Sequence, residues 1–286
     1  MQAPATANEA RRPEPSHPES ARPTATANWQ YSWRLFRHFL GRDLRNRFLG
    51  SFSGGLWALI QPLVQLAIYA FVFVHIFKAR VAGAGEGLGY VPFLVVAMWP
   101  WTAFSEAILR STTAITENAA LIGKVPMPRA VPVLAAVAGS FLLHGAGFVA
   151  IVLVLPLFGY AMHLAWLLPA VVLLLVLLVL ALGLALLAAA IQVFVRDTVQ
   201  VLTQLLVLAM FAAPIFYSRA MIPPPFQGLI DLHPYTSYAV AFRDMLLHGQ
   251  WPALVPLAGA AAGAVVTLAL GWWVFHRLDP HFEDYL

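Results

Sequence analysis

The chain contains no cysteine, which removes disulfide scaffolds, thiolate nucleophiles and Cys-ligated zinc in one step. Charge is nearly as scarce: 17 Lys and Arg with 13 Asp and Glu make up 10% of the 286 residues, against roughly a quarter in soluble domains. With 60% hydrophobic residues and a mean hydropathy of +0.76, a water-soluble globule is excluded. Residues 1–47 hold eight Arg and four acids, so the other 239 positions carry only 18 charges. The body of the chain therefore reads as a membrane domain. A pI of about 9.6 does not imply a nucleic-acid partner, because the basic residues border apolar stretches, where membrane topology accounts for them.

Several kinds of chemistry are missing as well. No GxxxxGK[ST] phosphate loop occurs, and the stretch Gly83-Ala84-Gly85-Glu86-Gly87 lacks the Lys and following helix of such a loop. The nine His are scattered and none pairs with another at i+4, so no metal centre is expected. His75, His144 and His163 read as polar spots near helix ends or packed against neighbours. Ion-coupled carriers need titrating or pairing groups deep in the membrane, and the centres of the apolar stretches have none. Glu106 and Arg110, four apart, read as an ion pair on one helical face.

What remains is a sequence of apolar stretches with polar punctuation. Residues 1–28, rich in Ala, Pro, Thr, Glu and Arg, cannot bury enough surface to offset their ordering entropy and read as a disordered tail. Arg11 and Arg12 are followed by Pro, Glu, Ser and His, so no cleaved signal peptide is expected there. Over residues 29–48, Trp29, Trp33, Phe36, Leu40 and Leu44 recur at helical spacing opposite Arg34, Arg42 and Arg45, which predicts an amphipathic helix lying in a membrane interface.

A bilayer core of roughly 30 Å takes about 20 helical residues. Thirty uncharged residues between Arg47 and Lys78 predict a first span near Gly55–Phe77, and 19 between Glu86 and Glu106 predict a second near Gly89–Arg110. Arg129 and Arg196 bracket 66 uncharged residues, which the polar dip at Gly159, Tyr160 and His163 divides into Val131–Phe158 and Trp166–Val195. Thr198–Tyr217 and Trp251–His276 complete six spans. Between the last two, Pro223, Pro224, Pro225 and Pro234 interrupt two pieces, Phe226–Leu232 and Tyr235–Leu247, too short to cross. They predict a re-entrant helical pair. The fold class is thus all-α: an interfacial helix, then a membrane domain over 49–286 with six transmembrane helices.

Six spans place both termini on one side. Apart from the tail, that side holds ten Lys and Arg against four on the other, so the positive-inside rule predicts cytoplasmic termini. Aromatics are candidates for stacking on sugar: Trp57, Tyr69 and Phe73 in the first span, Trp99 and Trp101 in the second, Phe216 and Tyr217 after the fifth. In the sixth, Gly259, Gly263, Thr267 and Gly271 repeat every fourth residue and predict close helix packing.

In this layout the sequence resembles the membrane subunit of ABC-2-type exporters of cell-surface polysaccharide. The resemblance rests on four segments in order: Gly55-Leu56-Trp57-Ala58-Leu59-Ile60-Gln61-Pro62-Leu63 with Tyr69-Ala70-Phe71-Val72-Phe73; Asn118-Ala119-Ala120-Leu121-Ile122-Gly123-Lys124-Val125 with Pro128-Arg129; Phe194-Val195-Arg196-Asp197; and Pro214-Ile215-Phe216-Tyr217. His233-Pro234-Tyr235 stands where that family usually has Asn-Pro, and Gly123 is a second departure. The resemblance implies a homodimer in the bacterial inner membrane, two copies of a cytoplasmic ATPase that carry the ATP and Mg, and export of a lipid-linked O-antigen or capsular glycan, with further envelope export components as partners. This chain itself would hold no cofactor and be no enzyme. Asn118, Leu121, Ile122, Lys124, Val125 and Arg129 would then lie in the segment that couples to the ATPase. The topology equally suits an ABC-2 exporter of a small hydrophobic drug or lipid. A membrane-embedded glycan-modifying enzyme is the remaining alternative, and it lacks the pair of carboxylates within the spans that such chemistry needs.

Overall fold

The computed structural model describes residues 29–48, 56–76, 89–122 and 127–286, and within these every regular element is helical. The protein is an all-α membrane protein. Its elements are α1 (Trp29–Phe48), α2 (Leu56–Phe71, continued by a wider turn to Ile76), α3 (Tyr90–Thr112), α4 (Ala119–Ile122), α5 (Ala130–Val154), α6 (Leu167–Phe194), α7 (Thr198–Ala212), α8 (Pro224–Asp231), α9 (Thr236–Leu246) and α10 (Leu254–Leu278). The expected tail over 1–28, the loop around Gly83–Gly87 and the segment Gly123–Val125 lie outside the described residues.

Among the described residues, four helical segments are long and apolar enough to cross a membrane: Tyr90–Thr112, Ala130–Phe158, Leu164–Phe194 and Leu254–Asp284. Two shorter apolar helices, Ile60–Ile76 and Thr198–Ala212, stand where spans one and five were expected. The fifth is shorter than Thr198–Tyr217 for a local reason. Pro214 biases the residue before it away from helix, and Ala213 is extended at φ −74° and ψ 148°. The Tyr217 hydroxyl then shares its one proton between the carbonyls of Phe211 (3.1 Å) and Ala212 (2.8 Å), two acceptors that the helix end leaves open. At 15 residues and 1.5 Å per residue, α7 is about 22 Å long, short of the hydrocarbon thickness. The break between spans three and four falls where the polar dip put it, with Gly159 in the left-handed region at φ 85°.

α3 is the central helix. It packs on α2, α5, α6, α7 and α9, and its apolar residues run all round it, as burial on every side demands. α10 is peripheral and packs on α6, α9 and the C-terminal turn Asp279–Asp284. α6 and α10 touch through glycine: a Cβ on Gly271 would strike the Gly183 carbonyl oxygen, and one on Gly183 would lie 2.5 Å from the Thr267 carbonyl carbon. Of the predicted small-residue stripe, the C-terminal half, Thr267 and Gly271, is used in this way. A Cβ on Gly259 or Gly263 would meet nothing within 4 Å.

The amphipathic helix divides in two. Trp29 and Trp33 are exposed and stacked, with ring centroids 5.8 Å apart, in keeping with an interfacial surface. Toward its C-terminus α1 docks on α5, where Phe39 is buried with Val131 and Ala135. Gly139 of α5 lets Asp43 of α1 come against its backbone, since a Cβ there would strike the Asp43 carboxylate. Phe39 lies between the predicted apolar and basic faces, because α1 meets protein as well as lipid.

Candidate functional site

Where α1, α3 and α5 meet, four charged side chains form one cluster. Arg47 donates through Nη1 to Glu106 Oε1 (2.6 Å), through Nε to Asp43 Oδ2 (2.9 Å) and through Nη2 to Ser140 Oγ (2.8 Å). Arg110 donates to Asp43 Oδ1 at 2.6 Å, and His144 Nε2 binds Glu106 Oε2. Glu106 is therefore paired with Arg47 and His144, and Arg110 with Asp43, instead of the Glu106–Arg110 pair expected from spacing. Two guanidinium groups and two carboxylates balance, which is what burial of charge requires. His144, 1% exposed, also accepts at its backbone oxygen from Trp99 Nε1 (2.9 Å).

The segment between α3 and α5 is strapped at both ends. At one end Arg42 of α1 donates to Asn118 Oδ1, and Asn118 Nδ2 donates to the Ala114 carbonyl at 2.7 Å. At the other, Arg129 donates to the backbone and carboxylate of Asp279 and to Glu283 in the C-terminal turn. Ile122 is buried and Leu121 half-buried against the Phe39 cluster, while Glu117 and Ala120 are exposed. Of the residues the resemblance assigns to ATPase coupling, Leu121 and Ile122 thus turn inward. Lys124 and Val125 lie outside the described residues.

At the opposite end of the bundle a second buried cation organises the structure. Arg243 of α9, 5% exposed, donates to the carbonyls of Phe93 (3.3 Å), Pro214 (2.6 Å) and Ile215 (2.7 Å). Its guanidinium carbon sits 3.5 Å from the Phe93 ring centroid, a cation–π geometry. Three backbone carbonyls thus hold the re-entrant helix against α3 and the turn after α7. Tyr90 adds a bond to the Phe216 carbonyl (2.9 Å), and Tyr235 one to the Ala97 carbonyl (2.5 Å). The latter lies beside Val96, whose oxygen has no helical donor at Pro100.

The aromatic candidates divide by burial. Trp99, Trp101 and Phe216 are interior residues: Trp99 spends its N–H on His144, Trp101 packs edge-on to Tyr235 at 5.0 Å, and Phe216 is enclosed by Tyr69, Phe73 and Phe211. None of the three offers an open ring face to cargo in this conformation. Tyr69, Phe73 and Tyr217 are half-buried at the rim of the same cluster, and Trp57 is exposed. Asp43, Arg47 and Arg243 were not singled out from sequence, and His144 reads there only as a polar spot near a helix end or packed against neighbours. Their signal was present as charge at the margins of apolar stretches, but apart from the Asp43–Arg47 pair, four apart, their partners lie 28 to 150 positions away.

A model of the ABC-2 type transporter family matches residues 34–247, from α1 to just past the end of α9. The chain belongs to the ABC-2 type transporter family. Among curated proteins, this ABC-2 chain is 24% identical over 267 residues to the O-antigen export system permease protein RfbA of Klebsiella pneumoniae, covering 91% of this chain and 97% of the relative. It is 28% identical over 260 residues to the protein of the same name from Myxococcus xanthus, covering 89% and 96%. The family match thus spans most of α1, the strapped segment and the Arg243 site.

Proposed function

We propose that the chain is the membrane subunit of an ATP-driven exporter that moves a lipid-linked, O-antigen-type polysaccharide across the inner membrane, with both termini in the cytoplasm. The observation that carries this is near-full-length similarity to permeases named for O-antigen export, on a chain that belongs to the ABC-2 type family. Two copies would enclose the path. Exposed apolar side chains on α2 (Val64, Ile68, Phe71) and α7 (Val201, Leu205, Leu208) support a second copy there. A separate ATPase, two copies per dimer, would hold ATP and Mg and push on the segment from Glu117 to Arg129. Straps to α1 and to the C-terminal turn suit that segment to passing a push into the bundle, because a tethered element moves its neighbours with it.

The test is expression in a cell that makes the glycan but lacks its exporter. Surface glycan should appear only when this chain and its ATPase are both present, and Ala120→Arg should lower export and ATPase association while leaving the chain's folding intact. Glycan export without the ATPase, or full export and association by the Arg variant, would overturn the proposal. For orientation, Leu229→Cys should react with an impermeant maleimide in intact cells and Ala120→Cys should not; the reverse pattern inverts the topology.

A further inference from the structure

The Gly183–Gly271 crossing clamps α6 to α10, and beyond it, toward the N-terminus of α10, the two helices part. α9 enters the opening from the other side. A groove of about 820 Å³ results, walled by Leu184 of α6, Val240 of α9 and Leu257, Gly259 and Gly263 of α10. Its lining is mostly apolar, and its charged groups, Arg219, Asp231 and Asp244, come from the α8–α9 side. Next to it α10 turns Leu254, Val255 and Val265 outward without cover. An apolar groove bordering the hydrocarbon cannot stay empty cheaply, because a void forfeits dispersion contacts along its whole lining and water gains few partners on apolar walls.

The charges select among lipids. Arg219 and Asp231 form a bidentate pair (2.7 and 2.6 Å) and neutralise each other. Asp244 makes no ion pair among the described residues and accepts only a 3.3 Å bond from Gln250. With Arg219 and Asp231 paired off, Asp244 is the groove carboxylate without an ion-pair partner; it complements a headgroup that carries an ammonium, and disfavours a purely anionic one.

We propose that this groove is a phospholipid site, in which an acyl chain lies along the Gly259–Gly263 face of α10 and a phosphoethanolamine headgroup sets its ammonium on Asp244. The site is independent of the cargo and of the exporter reading. The two glycines make a clean probe, since both wall the groove and a Cβ added at either meets nothing within 4 Å.

The experiment reconstitutes the full complex in bilayers of equimolar phosphatidylethanolamine and phosphatidylglycerol, exchanges it into detergent and counts retained lipid by mass spectrometry. The wild type should keep about one phosphatidylethanolamine per chain. Gly259→Leu with Gly263→Leu should lower this at least fivefold with the assembly state unchanged, and Asp244→Asn should erase the preference over phosphatidylglycerol. Because the chain has no cysteine, Gly263→Cys adds a milder check: its alkylation in detergent should slow on adding phosphatidylethanolamine. Unchanged retention in the Leu variant overturns the proposal, as does an unprotected thiol if that variant misfolds. Retention of a glycan-bearing lipid in place of phospholipid, or Gly263→Cys cross-linking to a second copy, overturns it equally.

Discussion

Arg243→Met isolates what a buried guanidinium does for the re-entrant helix. The variant keeps an apolar stem of similar reach but removes donors to the carbonyls of Phe93, Pro214 and Ile215. The Pro214 and Ile215 carbonyls follow α7, where the chain has left the helix. A buried acceptor that loses its donor costs about 1–3 kcal/mol, and a desolvated cation–π contact adds about 2 kcal/mol. Against this, the variant no longer buries a charge, which returns part of the desolvation cost. The net loss is about 3 kcal/mol. At roughly 2–4 °C per kcal/mol for a chain approaching this size, the apparent Tm should fall by about 6–12 °C.

Intrinsic fluorescence of the detergent-purified chain, which has nine Trp, follows that transition. Arg243→Lys is the informative control, because an ammonium keeps the charge but cannot present a planar fork to two carbonyls and stack on Phe93 together. It should recover less than half of the loss. If Met melts within about 2 °C of wild type, or Lys restores full stability, the fork is not what holds α9, and the reasoning from the three carbonyls fails.

The remaining predictions use contrasts between neighbours. Gly271→Val should abolish stable expression, because its Cβ strikes the Gly183 oxygen, whereas Gly263→Val, which meets open space, should melt within about 2 °C of wild type; equal behaviour refutes the glycine crossing. Arg47→Met should cost about 3–5 kcal/mol, the usual cost of breaking a buried pair, and Arg110→Met, whose side chain is 40% exposed, no more than about 1 kcal/mol; a larger loss for Arg110 in thermal melts would reverse the assigned roles. Burial holds the His233 imidazole below its ordinary value of 6.5, so as pH falls below 6.5 the unfolded chain binds the proton first and native stability drops. His233→Asn should therefore flatten the change in apparent Tm between pH 7.5 and 5.5, and an unaltered slope would exclude His233 as its source.

Helix periodicity and uncharged length carry the architecture because they are local properties of the chain. The ends of α3, α5 and α6, the break at Gly159 and the paired short helices α8 and α9 fall within a few residues of where apolar runs, proline and polar dips place them. Span five did not, since a length rule counts residues up to Tyr217, whereas Pro214 and the Tyr217 hydroxyl close the helix at Ala212. Proline alone does not mark the end, since Pro62 and Pro100 lie inside α2 and α3.

The polar interior resists the same treatment for a physical reason. Glu106 and Arg110 stand four apart on α3, and helix geometry alone makes them partners. Their actual partners come from α1 and α5, because a carboxylate inside the bundle is stabilised by whichever buried donors surround it, and surface spacing has no bearing on that. Arg243 shows the same logic in stronger form: the carboxylate next to it in sequence, Asp244, makes no ion pair with it, and the backbone carbonyls of Pro214 and Ile215 beyond a proline-ended helix receive its guanidinium instead. Trp99 and Trp101 follow from it too. An aromatic in a membrane helix can face lipid, cargo or core with equal sequence plausibility, and here their contacts with His144 and Tyr235 decide for the core. In this bundle the charged and aromatic side chains at the helix margins are therefore the tertiary links among α1, α3, α5 and α9, so a change at one of them should be read first as a change in helix placement and only then as a change in contact with cargo.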